Sequence, residues 1–187
     1  MLITHERDKT LNAILYFAKN TKYCGKTKLC KLLFFADMDH FQQTGRTITG
    51  LDYFAWDFGP VPADLYRELD NPPADLSKKI VAVPTQEKTF VKISPKPNAE
   101  VDTQYFSKRE LSIIEKISEI YSDVRAQDII EISHIKNAPW DKTRKEKGKN
   151  AKINPLLALN GDKDTLTVEE VTETNQERDE LLRVLND

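Results

Sequence analysis

The sequence predicts a mainly α protein with a small β component (α+β): a compact helical domain around one central helix, with a small antiparallel β-hairpin or sheet. Three observations support this. Apolar residues recur at helical spacing along most of the chain, the segment 27–43 is apolar on more than one side, and the strand-like runs are short and end at glycine or proline. With 187 residues, the chain suffices for one domain with a substantial core and an appendage.

Two helices are predicted near the start. In residues 7–20, apolar side chains follow the i, i+3, i+4, i+7 spacing of an amphipathic helix. The second helix, 27–43, ends at Gly45 and is the central one, because its apolar side chains spread beyond one face. About six helices are expected around it. Its apolar residues are Leu29, Leu32, Leu33, Phe34, Phe35, Ala36 and Met38.

A strand and a short helix follow. Residues 51–58 alternate, with Phe54, Trp56 and Phe58 on one face, and the Gly59-Pro60 pair is expected to end the strand. Pro62 suits the first turn of a short helix that continues to residue 69.

The next elements are a hairpin and two helices. Residues 80–94 predict a β-hairpin with its turn at 86–88. Ser107 and Glu110 have the spacing of a capping box that begins a helix. A further helix, 126–135, is expected to end at Pro139-Trp140.

The composition changes after Asp141. Residues 142–152 form a basic block, predicted to be a solvated loop. From Asp162 onward nine acidic residues face three basic ones, a net charge of −6. A helix at 175–185 would place Leu181, Leu182 and Leu185 on one side. We therefore divide the chain into a domain at 1–160 and an acidic C-terminal extension at 161–187.

Bulk composition narrows the function classes. The net charge of −2 argues against a strongly basic nucleic-acid binder, and no aromatic residue stands among the lysines of the basic block to stack on bases. No apolar run approaches the ~20 residues that span a bilayer. Charged residues begin within the first eight positions, which argues against a secretory signal, and the chain has only two cysteines. We therefore expect a cytoplasmic protein with free thiols and no membrane partner.

The residues with reactive side chains do not form a catalytic pattern. Asp37 and His40 stand at i, i+3 in the central helix, where a hydrogen-bonded Asp–His pair that holds the helix-to-strand corner is favoured over a metal site. Cys24 and Cys30 lack the short spacing of zinc ligands. No nucleophile elbow or metalloprotease motif is present. We predict no catalytic residue, no metal and no cofactor, so the protein is not expected to be an enzyme.

Candidate partner-binding residues remain. Trp56 fits a core position and an interface equally well, whereas Trp140 favours the core and His134 a hydrogen bond at its helix end. The candidate residues either contact a partner or only stabilise the fold, and both interpretations stay open. The candidates are Asp37, His40, Tyr53, Trp56, Gly59, Pro60, His134 and Trp140.

Two blocks of the chain resemble the Panacea domain family of SocA-like antitoxins, over most of residues 8–158. The first block is the longer and more specific. It comprises Lys31-Leu32-Leu33-Phe34-Phe35-Ala36-Asp37 with His40, Thr49-Gly50, Tyr53, Ala55-Trp56, and Phe58-Gly59-Pro60-Val61 with Leu65 and Tyr66. The second comprises Ser107, Leu111, Ile114, Ser133-His134 and Pro139-Trp140.

The resemblance implies an antitoxin of a bacterial or prophage toxin–antitoxin module, whose partner is a cognate protein toxin neutralised by direct binding. In one branch of the family the antitoxin instead delivers its toxin to a cytoplasmic protease. The alternative from another class is a nucleic-acid-binding regulator that uses the helices in 108–136 and the basic block. A hydrolase centred on Asp37 and His40 is the third hypothesis.

Overall fold

The computed structural model describes residues 5–84, 90–162 and 165–186, without the side chains of 185 and 186. Within these residues the protein is mainly α with a small β component, which confirms the predicted fold class. There are eight α-helices rather than about six. They are α1 (Glu6–Asn20), α2 (Lys26–Thr44), α3 (Ala63–Glu68), α4 (Ala74–Ser77), α5 (Lys108–Ile120), α6 (Ala126–Ser133), α7 (Pro139–Lys147) and α8 (Val168–Asn186). Two 3₁₀ turns, Thr103–Tyr105 and Pro155–Ala158, complete the helical structure.

Four strands form two separate antiparallel pairs. They are β1 (Phe54–Trp56) with β2 (Gly59–Val61), and β3 (Ile80–Pro84) with β4 (Val91–Pro95). The second pair confirms the predicted hairpin, whose turn at 86–88 lies outside the described residues. The first strand ends at Trp56, before the Gly59-Pro60 pair that was expected to end it. These residues begin β2, where Pro60 is tolerated because the pair is only two strands wide.

Helix α2 is the central helix, as predicted. It packs against α1, α5, α6 and β2, and thirteen of its nineteen residues are buried. Three of the buried residues are lysines, and two of these, Lys28 and Lys31, have no exposed surface. Asp37 and His40 are among the buried residues of α2. Because several elements pack around this helix, the positions of both side chains are fixed.

The predicted capping box begins α5. Ser107 Oγ accepts a hydrogen bond from the Glu110 amide at 3.2 Å, and the Glu110 carboxylate accepts one from the Ser107 amide at 2.7 Å. Lys9 on α1 also binds this carboxylate at 2.6 Å. Burial opposes ionisation of Glu110, but Lys9 and the Ser107 amide outweigh it and hold the pKa of Glu110 below its usual value.

Replacing Glu110 by glutamine is expected to lower the free energy of unfolding at pH 7 by about 1–2 kcal/mol, since a charge-assisted cap and an ion pair are lost. The pKa of Glu110 is lower in the folded than in the unfolded chain. The carboxylate therefore stabilises the fold above its unfolded pKa, and this contribution disappears as the pH falls through the folded pKa. Urea unfolding at pH 7 and pH 3 checks this: the two proteins should differ less at pH 3, and an equal difference at both pH values would contradict it.

Helix α7 corrects two expectations about residues 139–152. Pro139-Trp140 does not simply end the preceding helix: Pro139 occupies the first turn of α7, where its missing N–H carries no penalty. The basic block is not a solvated loop throughout, because its first half is helical. After α7, residues 150–153 run beside β1. Ala55 N donates to Ala151 O at 2.9 Å, and Ile153 N donates to Tyr53 O at 2.8 Å.

The C-terminal helix is longer than predicted and is anchored near its start. Val171 is buried against Phe41 and Leu159. The predicted leucine stripe is not buried on the body, since Leu181 is 58% exposed and Leu182 half-buried; the side chain of Leu185 lies outside the described part. No helix of the described residues has the length and apolar character needed to cross a membrane.

Candidate partner-binding site

Asp37 organises the corner between α2 and β1, which we define as residues 46–49. Its carboxylate is fully buried and accepts hydrogen bonds from the Ile48 and Thr49 amides at 2.8 and 2.9 Å, from Thr49 Oγ1, and from Tyr53 Oη at 2.7 Å. Burial raises the pKa of Asp37, and these four donors act against that rise. A buried carboxylate with this many donors is a structural group that fixes the turn of the chain.

His40 holds the same corner through different atoms. Its Nδ1–H donates to the Arg46 carbonyl oxygen at 2.7 Å. The expectation that Asp37 and His40 hydrogen-bond to each other is wrong, because each is occupied by the backbone of the corner; their common role in holding it is confirmed. His40 also borders an open cavity of about 620 Å³ that extends to α8.

An apolar groove lies between the first hairpin and α3, and we call it the aromatic groove. It has a volume of about 250 Å³. Trp56 and Tyr66 form one wall, with their ring centroids 5.3 Å apart and the planes at 64°. Phe58 stands at the two-residue turn between β1 and β2 and is 71% exposed. The side chains that line the groove include Lys31, Trp56, Asp57, Phe58, Val61 and Tyr66.

Lys31 lies at the base of this groove and packs closely against Gly59. Lys31 Nζ donates to the Pro60 carbonyl oxygen at 2.8 Å, which places the ammonium under β2. Gly59 has a positive φ of 95°, and a Cβ there would lie 2.5 Å from Ser133 Oγ and 2.7 Å from Lys31 Cε. A residue without a side chain is therefore needed for Lys31 to reach the groove.

Replacing Gly59 by alanine is expected to lower the free energy of unfolding by about 2–3 kcal/mol, because backbone strain and a steric clash combine. Gly161→Ala is the matched control: its φ is also positive, at 74°, but no atom of the described residues lies within 4 Å of the added Cβ. That substitution should lose only about 1 kcal/mol. Urea unfolding of both variants measures the difference, and equal losses would contradict the close packing of Gly59.

His134 and Trp140 lie behind the hairpin. Their rings stack with centroids 3.8 Å apart, and Trp140 Nε1 donates to the Trp56 carbonyl oxygen at 2.9 Å. At the end of α6 the backbone N–H of His134 donates to the Ile130 carbonyl oxygen at 3.1 Å, whereas the imidazole Nε2 is buried without a partner in the described chain. Burial and the nearby Lys31 and Arg144 lower the pKa of His134, which favours the neutral ring. Trp140 packs against the core, as expected.

The candidate residues thus separate into two groups. Asp37, His40 and Tyr53 hold the corner, while Trp56, Gly59, Pro60, His134 and Trp140 build the groove and its support. Sequence reasoning missed the prominence of Phe58, because it placed the residue inside the strand. It also missed Lys31 as a groove residue; the only signal was a charge at the start of an apolar run.

The geometry gives little support to nucleic-acid binding or to metal binding. Four of the six cations of the basic block are bound to acidic side chains of this chain: Arg144 and Lys149 contact Asp57, Lys145 contacts Asp141, and Lys152 contacts Asp52. Such pairing reduces what is left for phosphates. Over the described ranges, no three His, Cys, Asp or Glu side chains are placed to hold a metal ion.

Comparison with known proteins assigns the chain to a family. The family model of the antitoxin SocA-like, Panacea domain matches residues 29–141, which contain most of α2, the corner, most of the residues that line the aromatic groove, and the His134–Trp140 stack. No curated protein and no solved structure matches the chain. Because the match covers more than half of the sequence, the chain belongs to the SocA-like antitoxin family with a Panacea domain.

Proposed function

We propose that this protein is an antitoxin that neutralises a cognate toxin by binding it directly, and that the aromatic groove is the centre of the binding face. The observation that carries the proposal is family membership across residues 29–141. A toxin partner is what the family implies in general. The identity of the groove as the contact surface is our own inference from its geometry.

Three properties of the groove support this assignment. Phe58 is the most exposed aromatic side chain of the described chain, and it stands beside the partly buried rings of Trp56 and Tyr66. Aromatic residues dominate the energetic centres of protein interfaces. The rim is charged, with Asp57 bound to Arg144 and Lys149. An apolar centre with a polar rim is the usual anatomy of a binding surface of roughly 800 Å² per partner.

The function is tested by co-expression. The product of the gene adjacent to that of this protein is expressed alone and together with it, in cells that otherwise lack both. We expect growth arrest with the adjacent product alone and recovery when both are present, together with co-elution of the two purified proteins. Arrest that is the same with and without this protein would contradict the antitoxin function.

Blocking and delivery to a protease give different results in the same cells. We propose blocking, so the half-life of the toxin should be unchanged or longer when the antitoxin is present, and purified antitoxin should inhibit the toxin at a 1:1 ratio. A toxin that disappears faster in the presence of the antitoxin, and that stays active in the purified complex, would identify delivery instead. Within the described residues, no feature beyond the basic block favours a nucleic-acid regulator.

A further inference from the structure

Two buried lysines on α2 have different surroundings. Lys28 donates to the carbonyl oxygens of Lys22 and Ser122 at 2.7 and 3.2 Å, which follow the ends of α1 and α5. Among the described residues, Lys31 donates to Pro60 O alone. Neither ammonium has a carboxylate within 4 Å among the described residues, yet both residues have 0% exposed surface. Lys31 lines the aromatic groove, whereas Lys28 does not.

The surroundings of Lys31 leave it under-satisfied. An ammonium group has three N–H donors, and one of them is used by Pro60 O. Burial disfavours the charged form and lowers the pKa of Lys31 to about 8. The nearest carboxylate of the groove, Asp57, is already bound to Arg144 and Lys149 at 3.2 and 2.8 Å. A buried cation without a counter-charge is unfavourable, and an incoming anion would relieve this.

We propose that the aromatic groove receives an acidic side chain of the partner protein, and that its carboxylate accepts a hydrogen bond from Lys31 Nζ. This inference rests on the proposed function and names the chemistry that the groove recognises. The volume of about 250 Å³ suits one inserted side chain. Trp56, Phe58 and Tyr66 would pack against its methylene groups and its neighbours in the partner chain.

The carboxylate is assigned to a side chain and not to a chain terminus. Terminal carboxylates are captured by several backbone N–H groups that converge on one point. Here the donor is a single lysine, which acts as a point charge at the end of a flexible stem. The walls are aromatic, which matches the aliphatic part of an aspartate or glutamate and its neighbours.

The first test compares Lys31→Met with Lys28→Met. Methionine keeps the length and apolar stem of lysine but removes the charge. Titration calorimetry with the product of the adjacent gene should show at least tenfold weaker binding for Lys31→Met. The Lys28→Met control should bind within twofold of wild type, because Lys28 lies away from the groove. Thermal unfolding of both variants confirms that they remain folded at the temperature of the titration.

A second measurement is the number of protons taken up when the partner binds. A carboxylate beside Lys31 raises the pKa of the ammonium, so wild type should take up protons on binding at pH 8, seen as a dependence of the heat on the ionisation enthalpy of the buffer. Lys31→Met should show less uptake, whereas Lys28→Met should not differ from wild type. The groups near Lys31 whose pKa values are shifted move away from pH 8. The pKa of Cys30 is raised to about 12 and that of Tyr66 is raised, whereas the pKa values of Asp57 and His134 are lowered.

The partner's residue is found by neutralising its Asp and Glu side chains one at a time and combining each change with Lys31→Met. One substitution should weaken wild type at least tenfold and have no further effect on Lys31→Met. If Lys31→Met is instead coupled to removal of the partner's C-terminal residue, and to no Asp or Glu substitution, the side-chain assignment is overturned. Binding of Lys31→Met within twofold of a wild type that neutralises would overturn the inference and leave the proposed function intact. Failure of wild type to bind the adjacent product would overturn both.

Discussion

Replacing Asp37 by alanine is expected to lower the free energy of unfolding by about 3–5 kcal/mol, a larger loss than that expected for Gly59→Ala or Glu110→Gln. The carboxylate is fully buried and accepts four hydrogen bonds from residues 48, 49 and 53. Its removal leaves two backbone amides and two hydroxyl groups without their acceptor in the core. Urea unfolding followed by circular dichroism measures the change.

Asp39→Ala is the matched control, two residues along the same helix. Asp39 is bound to Lys116 and Gln43 near the surface, so its loss should change the free energy of unfolding by less than about 1 kcal/mol. The loss of unfolding free energy for Asp37→Asn should lie between those of the two alanine variants. The amide oxygen still accepts hydrogen bonds, but the NH₂ group faces donors that the second carboxylate oxygen accepted from. Equal, small effects at positions 37 and 39 would contradict the structural role of Asp37.

Replacing Phe58 by alanine is expected to weaken toxin binding by about 2–3 kcal/mol, or roughly 30- to 150-fold, without measurable loss of stability. The two effects should separate because the ring is 71% exposed in the free protein, and in the proposed complex it is buried against the partner. Titration calorimetry with the adjacent gene product gives the affinity, and thermal unfolding gives the stability.

Tyr23→Ala controls for the loss of any exposed aromatic ring. Tyr23 is 51% exposed and lies in the turn between α1 and α2, away from the aromatic groove. Its variant should bind as wild type does and should neutralise the toxin in growing cells. A Phe58→Ala protein that binds as tightly as Tyr23→Ala would contradict the placement of the interface at the groove.

Local patterns in the sequence were sufficient for several elements. The capping box of Ser107 and Glu110 was predicted because its two reciprocal bonds lie within one turn of helix. The central position of α2 was predicted because its apolar residues cover more than one face. Pro139 carried a usable signal that was misread: proline favours the first turn of a helix as strongly as it ends one.

Tertiary contacts explain what the sequence did not reveal. The spacing of Asp37 and His40 is that of a pair, but their actual partners are the corner and Tyr53, up to 16 residues further along the chain. Alternation placed Phe58 in a strand, whereas the pairing of Trp56 with Gly59 makes it part of the turn. The groove position of Lys31 depends on the positive φ of Gly59 and on β2, and neither leaves a pattern in α2 itself.

Hydrogen–deuterium exchange of the antitoxin, alone and saturated with the adjacent gene product, tests the central claim most directly. The account predicts that protection on binding is strongest in residues 54–66, which contain the first hairpin and the start of α3, and that Phe58→Ala removes it at the same protein concentrations. Protection centred on the basic block or on α8, with residues 54–66 unchanged, would contradict a partner bound at the aromatic groove.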